Sequence, residues 1–241
     1  MPWCDGCAKY WAPNAMDQNG ACPQCKTVLA TKGALRMEAR LALDPVISPL
    51  LQALVASPDQ QVAASSMALL ASQARFAQSQ RRMQLPLTEL PGDLLHAALV
   101  ALRGLADDDQ DTLAIHAAAQ LAIRNRYDES RTRLGLISRL VTGMGGGATA
   151  ALSVTHAGVP MFLSALALAS GQDRDMAVLA TNEGQFARLT LALRAAGLRP
   201  NAIEEQFGSL HPELTLPEGF ENLGSDHAAA LLARSAAYPG S

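Results

Sequence analysis

The four cysteines of this 241-residue chain all lie within its first 25 residues, as two Cys-x-x-Cys pairs. The pairs are Cys4 with Cys7 and Cys22 with Cys25, and fourteen residues separate them. Each pair turns the backbone so that two thiolates converge, and two such pairs supply the four ligands of a tetrahedral Zn²⁺ site. The spacing therefore predicts one structural zinc ion in a small N-terminal module.

Residues that favour turns and strands occupy suitable places around these cysteines. Gly6 lies within the first pair, Pro23 lies within the second, and Asn19-Gly20 forms a turn signal just before it. The segment 9–13 between the pairs is short and aromatic, which is typical of a strand. We therefore expect a zinc ribbon with short β-strands over residues 1–32.

Other uses of the cysteines fit less well. Two disulfides would require secretion, but the three residues before Cys4 leave no room for a signal peptide, which predicts a cytoplasmic protein. A redox dithiol needs only one Cys-x-x-Cys pair and a βαβ pattern around it. With all four thiolates used as ligands, the zinc ion has no open position for catalysis.

The amino-acid composition changes after the two cysteine pairs. All three lysines and both tryptophans precede residue 33, and every later basic residue is arginine. Aromatic residues make up only 4% of the chain, while Ala and Leu dominate, which favours helices over strands. The last segment is acidic, with one arginine, Arg234, against Glu204, Glu205, Glu213, Glu218, Glu221 and Asp226.

These patterns predict a mainly α protein in four parts. They are a zinc ribbon (1–32), a connecting segment (33–57), an all-helical domain (58–200), and an acidic C-terminal segment with a short terminal helix (201–241). Short helices separated by Gly and Pro favour an antiparallel helical bundle or a short α-solenoid. The formal net charge of −3 excludes a strongly basic nucleic-acid-binding protein.

Two helix starts can be predicted from capping residues. Asp44 followed by Pro45 predicts one helix, and the run Ser57-Pro58-Asp59-Gln60 predicts a second, with Ser57 as its cap. The second helix can continue to Gln84, and apolar residues recur along it every seven positions, at Val62, Leu69, Phe76 and Met83. This row either packs on the domain's own core or makes a homodimer through the 58–105 helices.

Further helices are predicted near 93–105, 109–126, 173–182 and 185–196, the last closed by Gly197. No charged residue occurs between Leu140 and Gln172, a stretch long enough to span a bilayer. Gly143, Gly158 and Pro160 are among the residues that interrupt it. The interruptions favour short buried helices, with no membrane span.

The sequence shows no recognisable catalytic arrangement. The five histidines (His96, His116, His156, His211 and His227) lack metalloprotease spacing, and no nucleophile elbow or dinucleotide fingerprint occurs. Five arginines around Tyr127 form either an anion-binding surface or an ordinary solvated helix face balanced by Asp128 and Glu129. They are Arg124, Arg126, Arg131, Arg133 and Arg139.

Two parts of the chain resemble known groups of proteins. The first contains His156, Pro160, Phe162, the Ala-Leu-Ala run 165–167, Gly171, Phe186 and the ending Leu193-Arg194-Ala195-Ala196-Gly197-Leu198-x-Pro200. It resembles the C-terminal part of a bacterial all-helical domain family of unknown function. The cysteine pairs, with Trp3, Lys9-Tyr10-Trp11 and Pro13-Asn14 around the first, are similar to zinc ribbons at the start of bacterial proteins of unknown role. Neither resemblance implies catalytic residues.

The sequence thus favours a zinc-binding, non-enzymatic protein that acts in protein–protein interaction or regulation. An alternative is a nucleic-acid-binding regulator that uses the ribbon, through Lys9, Lys26, Lys32, Arg36 and Arg40 with Trp3, Tyr10 and Trp11. A third is an enzyme of unknown substrate whose site assembles from distant residues.

Overall fold

A computed structural model describes residues 3–4, 9–10, 34–84, 86–104 and 110–237. These residues are mainly helical, which confirms the predicted all-α character of the region behind the cysteines. Contacts divide the chain into two compact units. Unit 1 is Met1–Ala56 with Val141–Ser241, and unit 2 is Ser57–Leu140.

The helices follow one another with short connections. Unit 1 contains α1 (34–40), α2 (Pro49–Val55), α7 (Val154–Ala157), α8 (Val159–Ser170), α9 (Arg174–Ala180), α10 (Phe186–Ala195), α11 (Pro200–Leu210) and α12 (Ser225–Ala237). Unit 2 contains α3 (Gln60–Arg81), α4 (Gly92–Arg103) and α5 (Gln110–Arg126), and the boundary falls within α6 (Arg133–Gly143). Short 3₁₀ helices lie at Leu87–Glu89, Glu129–Arg131, Gly145–Leu152, Glu183–Gln185 and Phe220–Asn222. Two short strands are β1 (Trp3–Cys4) and β2 (Lys9–Tyr10).

Helix α8 forms the centre of unit 1. Its residues are apolar except for Ser164 and Ser170, and Phe162, Leu163 and Leu166 have no solvent exposure. It packs against α7, α9, α10 and the 3₁₀ helix before α7, while α10 packs in turn against α11 and α12. A helix that is apolar all round can be stable in water only when neighbours cover it.

Glycines at both ends of α8 divide the uncharged stretch. Gly158 has a φ of +74°, and a Cβ at this position would lie 3.2 Å from Cβ of Ser48. Gly171 ends α8 in the left-handed conformation with a φ of +68°. The stretch consists of short helices, as expected, and none of the helices that the structure describes has the length and apolar character needed to cross a membrane.

The predicted helix start at Pro45 is wrong. The Asp44 carboxylate accepts hydrogen bonds from the Val46 and Ile47 amides at 2.7 and 3.0 Å, but these close only a local turn. Helix α2 instead begins at Pro49, where Oγ of Ser48 accepts from the Leu51 amide at 3.3 Å. A proline forces the preceding residue into an extended conformation, so a helix begun at Pro45 could not continue through Pro49.

The cap of α3 is Asp59, where Ser57 was predicted. Oδ1 of Asp59 accepts from the amides of Gln61 and Val62 at 2.8 and 3.1 Å. Oγ of Ser57 accepts from the Asp59 amide at 3.2 Å and so stabilises the turn that leads into the helix. Two capping residues two positions apart compete, and the carboxylate is the better acceptor for the positive end of the helix.

Replacement of Asp59 with alanine is therefore expected to lower the free energy of unfolding of unit 2 by about 1 kcal/mol. The matched variant Ser57→Ala removes one exposed hydrogen bond outside the helix, and we expect a loss below about 0.5 kcal/mol. Chemical denaturation of both variants measures the two losses. A larger loss for Ser57→Ala would contradict the assignment of the cap.

Helix α3 ends three residues before the predicted Gln84. The Gln84 and Met83 amides donate to the carbonyls of Ser79 and Gln80, both at 2.9 Å, with Met83 at a φ of +54°. This is the hydrogen-bond pattern of a Schellman motif, which terminates a helix. The seven-residue apolar row is consequently split: Leu69 is buried within unit 2, whereas Met83 is 98% exposed.

Contacts place residues 141–200 in unit 1 together with residues 34–56, whereas residues 57–140 form unit 2. The predicted acidic segment is also part of unit 1, because Ile203, Phe207 and Leu232 are buried on α11 and α12. These apolar residues recur at helical spacing, so each helix buries one side and keeps its acidic residues outside.

Candidate metal centre

The first cysteine of the first Cys-x-x-Cys pair, Cys4, lies in a short strand. Strands β1 and β2 are antiparallel, and their register places Trp3 opposite Tyr10 and Cys4 opposite Lys9. Cys4 is therefore the last residue of one strand, and residues 5–8, which include Cys7, connect it to the next. The chain therefore runs in opposite directions in β1 and β2.

A reversal of this kind suits a zinc knuckle. Antiparallel pairing places Cys4 at the end of β1 and leaves only residues 5–8 between β1 and β2. Thiolates bind Zn²⁺ at about 2.3 Å and must converge from two directions, which a turn within one pair achieves for two of the four ligands. The strand at Lys9–Tyr10 also falls within the aromatic segment 9–13, where the sequence predicts one.

The remaining predicted ligands, Cys7, Cys22 and Cys25, lie outside the described residues, as do Lys26 and Lys32. Elsewhere, in the part of the chain that the structure describes, no group of three or more His, Cys, Asp or Glu residues is arranged to hold a metal ion. The four-cysteine zinc site therefore stays a prediction from the sequence.

The histidines occupy different environments. His156 and His227 are exposed, on α7 and α12, whereas His211 is buried with its ring 5.5 Å from that of Phe207. His96 on α4 is exposed, with Nδ1 3.2 Å from Nη2 of Arg124, and His116 on α5 is half-buried. This distribution over four helices and one loop position gives no paired acid and base among them.

Several of the five arginines around Tyr127 contact other residues of unit 2. The Arg133 guanidinium lies 4.1 Å from the centre of the Phe76 ring, a cation–π contact. Arg139 donates to the Ser130 carbonyl, and Arg124 contacts His96. These arginines hold α6 and α5 to neighbouring segments, which favours the structural interpretation over an anion-binding surface.

The residues between these arginines are held by hydrogen bonds as well. The Tyr127 hydroxyl donates to the Leu90 carbonyl at 2.8 Å, and burial raises the pKa of Tyr127. The Ser130 hydroxyl donates to the Asp128 carboxylate at 2.6 Å, which holds the pKa of Asp128 below its usual value. The turn 128–131 is thus closed by local side-chain contacts.

Unit 2 also contains a cleft of about 220 Å³ that sequence reasoning missed. Among its polar residues, Arg75, Ser79 and Arg82 recur at i, i+4 and i+7 along one side of α3 and its C-terminal cap, and this spacing is the signal that could have found it. The Glu89 carboxylate at its edge accepts from Oγ of Ser72 at 3.2 Å and from the Arg133 amide at 3.3 Å. The cleft is smaller than the usual small-molecule site, about 300 to 1,000 Å³.

Comparison with protein-family models, with curated proteins and with solved structures finds no match to this chain. The resemblance of residues 155–200 to a bacterial helical domain, and that of the cysteine pairs to bacterial zinc ribbons, therefore stay predictions. The chemistry of the cysteine pairs and the surfaces of the two units are the features that bear on function.

Proposed function

We propose that the N-terminal residues form a structural zinc ribbon on a helical protein that acts by binding other proteins. The observation that supports the zinc assignment is the antiparallel strand pair, in which Cys4 ends β1 and only residues 5–8 precede β2. The second pair has the same internal spacing and completes a set of four thiolates. Four thiolates saturate tetrahedral zinc, so the ion supports a fold and leaves no position for a reactant.

The helical part supports the protein-binding half of the proposal. Among the described residues, eight of the ten exposed large apolar side chains belong to unit 2: Met67, Met83, Leu87, Val100, Leu102, Leu113, Ile115 and Leu121. Apolar surface concentrated in one part of a protein is typical of a contact site for another macromolecule. We further propose that the helices make an antiparallel bundle or short solenoid and that the protein is cytoplasmic, because reduced thiols persist there.

Isolation of native complexes from the source cells tests the protein-binding function. We expect the tagged chain to retain a reproducible protein partner or a second copy of itself, and a variant with Met83→Ser and Leu87→Ser to retain less of a partner bound near α3. Zinc content is measured on the same material. Reproducible isolation of the chain alone and monomeric, with zinc bound, would refute the protein-binding function without affecting the zinc assignment.

Nucleic-acid binding by the ribbon is a second candidate, which the exposure of two arginines favours. Arg36 and Arg40 lie four residues apart on α1, so they share one side of that helix, and both are exposed. Phosphate contacts release counterions, and binding through them weakens steeply as salt rises. Binding to single-stranded oligonucleotides that falls with salt, and that is lost in Arg36→Ser/Arg40→Ser, would support it. No binding at low salt would exclude it.

A further inference from the structure

Helix α5 exposes its apolar side and turns its polar side toward the protein. No residue between Thr112 and Arg126 is buried. The half-buried positions are Thr112, His116, Gln120 and Ile123, which recur along one side of the helix. On that side, Nε2 of Gln120 donates to the Leu99 carbonyl of α4 at 2.8 Å, and Nδ1 of His116 is buried with no hydrogen-bond partner.

The opposite side of α5, which we call the outer face, consists of apolar residues in its central turns. Its members follow helical i, i+3, i+4, i+7 spacing and are all exposed: Ala114, Ile115, Ala118, Leu121 and Ala122. Ile115 and Leu121 are 68% and 60% exposed. A surface helix ordinarily buries its apolar side, because most of the stability of a helix in a protein comes from that packing.

The order of residues on the outer face is the same from either end. Ala118 lies at its centre, with Ala114 and Ala122 four positions to each side and Ile115 and Leu121 three positions to each side. When two copies of α5 pair antiparallel about Ala118, alanine meets alanine and Ile115 of one copy meets Leu121 of the other. We propose that two copies of this chain dimerise through antiparallel pairing of their outer faces.

Charge at the two ends of α5 favours the same orientation. Asp111 is the second residue of the helix, and Arg124 and Arg126 lie in its last turn. In the antiparallel register, position 111 of one copy lies opposite position 125 of the other, between the two arginines. A parallel pair would instead bring the arginines of both copies together. The antiparallel register brings acidic position 111 of each copy to the basic last turn of the other, and antiparallel helix dipoles also attract.

The size of the outer face sets the strength of the dimer. A helix of 17 residues is about 25 Å long, and its outer half presents on the order of 400 Å². Stable interfaces bury about 800 Å² on each partner. Val100 and Leu102, exposed on neighbouring α4, add to the available apolar surface. We therefore expect a dimer that forms and dissociates with concentration.

This inference rests on the protein-binding part of the proposed function and names one partner, a second copy. It places the contact on α5, beyond the 58–105 helices for which the sequence predicts a homodimer. The small side chains at Ala114, Ala118 and Ala122 let two helix axes approach closely, with the larger Ile115 and Leu121 packing at their flanks. The zinc site takes no part in the proposed α5 contact, so zinc binding and dimer formation are tested separately.

Sedimentation velocity on the zinc-loaded full chain tests the dimer, from about 1 μM to about 200 μM. The mass is expected to rise from 25.3 kDa toward twice that value. Ala118→Arg places a charge at the centre of the outer face and is expected to abolish the rise. Ala119→Arg, one residue along and about 100° around the helix, is the matched control and is expected to retain it. Helical signal and zinc content should equal those of the parent chain in both.

Cysteine crosslinking tests the orientation. Under mild oxidation of zinc-loaded protein, Ala118→Cys is expected to give a disulfide-linked dimer. A mixture of Ala114→Cys and Ala122→Cys chains is expected to crosslink with each other, while Ala114→Cys alone is not. Crosslinking of Ala114→Cys alone would establish a parallel pair and overturn the register, and the parent chain controls for its own four cysteines.

The same experiments give different results if something other than a second copy of the chain covers the outer face. A chain that stays monomeric at every concentration overturns the dimer. If the thiol of Ala118→Cys is then also unreactive toward a water-soluble thiol reagent, another segment of the chain covers the face. If the monomer instead gains mass only with a second protein, the occupant is a different partner. A dimer that persists unchanged in Ala118→Arg places the contact elsewhere.

Discussion

Replacement of Cys22 with serine is expected to abolish zinc binding by the N-terminal module and to unfold that module. Structural zinc contributes about 10 to 16 kcal/mol of apparent binding free energy to small modules, which lack a core large enough to fold without it. A serine hydroxyl is a poor substitute because it stays protonated at neutral pH and leaves the ion with three thiolates. The helices of both units should persist, since the packing of α8 and its neighbours contains no cysteine.

The comparison uses metal content and far-ultraviolet circular dichroism on the same samples. Ala21→Ser introduces the same side chain at the neighbouring position and serves as the matched control, with zinc expected to remain at the parent level. We expect Cys22→Ser to lose the metal while the helical signal stays nearly unchanged. Full zinc occupancy in Cys22→Ser would show that this cysteine is not a ligand.

The second large effect is expected at the centre of unit 1. Leu166→Ala should lower the free energy of unfolding by about 2 to 5 kcal/mol, because it removes a completely buried side chain from α8 and leaves a cavity. Leu168 lies on the same helix but is 48% exposed, and Leu168→Ala should cost no more than about 1 kcal/mol. Both variants replace a leucine of the same helix with alanine, so the two differ in the burial of the side chain that is removed.

Urea denaturation of the two variants measures the difference, provided that the dependence on denaturant concentration is the same as in the parent chain. A lower midpoint for Leu166→Ala alone supports the central position of α8. Equal midpoints for the two variants would show that α8 is not covered as the structure has it.

Local sequence signals predicted the helices better than the ends of the helices. The uncharged run through Phe162 and Leu166 predicts a buried helix because it contains no charged residue, and α8 confirms this. The predicted starts at Pro45 and Ser57 were wrong for one physical reason. Asp, Ser and Thr side chains stabilise turns as readily as helix caps, and only the surrounding chain decides between them.

The division into units could not be predicted, because it depends on contacts between distant parts of the sequence. Helix α2 packs against α7, which lies about a hundred residues later in the chain. Neither segment has a sequence pattern that predicts this contact. The outer face of α5 was missed for a different reason. Its Ala-rich sequence has apolar residues on most sides, so the pattern does not show which side faces the protein.

The candidate metal site depends on a signal of another kind. Four cysteines at fixed spacing predict a zinc site from chemistry alone, since thiolate ligands need no long-range packing to be recognised in the sequence. In the structure, Cys4 ends β1, which pairs antiparallel with β2. The sequence of the helical surfaces contains no comparable motif. We therefore infer their function from the exposure and charge of their side chains.

Metal analysis of the purified chain under reducing conditions tests the central claim most directly. Elemental analysis of protein prepared without added metal or chelator measures zinc per chain. The four-cysteine site predicts one zinc ion per chain, released when the thiolates are modified. Protein that is folded and reduced but contains no zinc, and takes none up when zinc is supplied, would contradict the zinc ribbon.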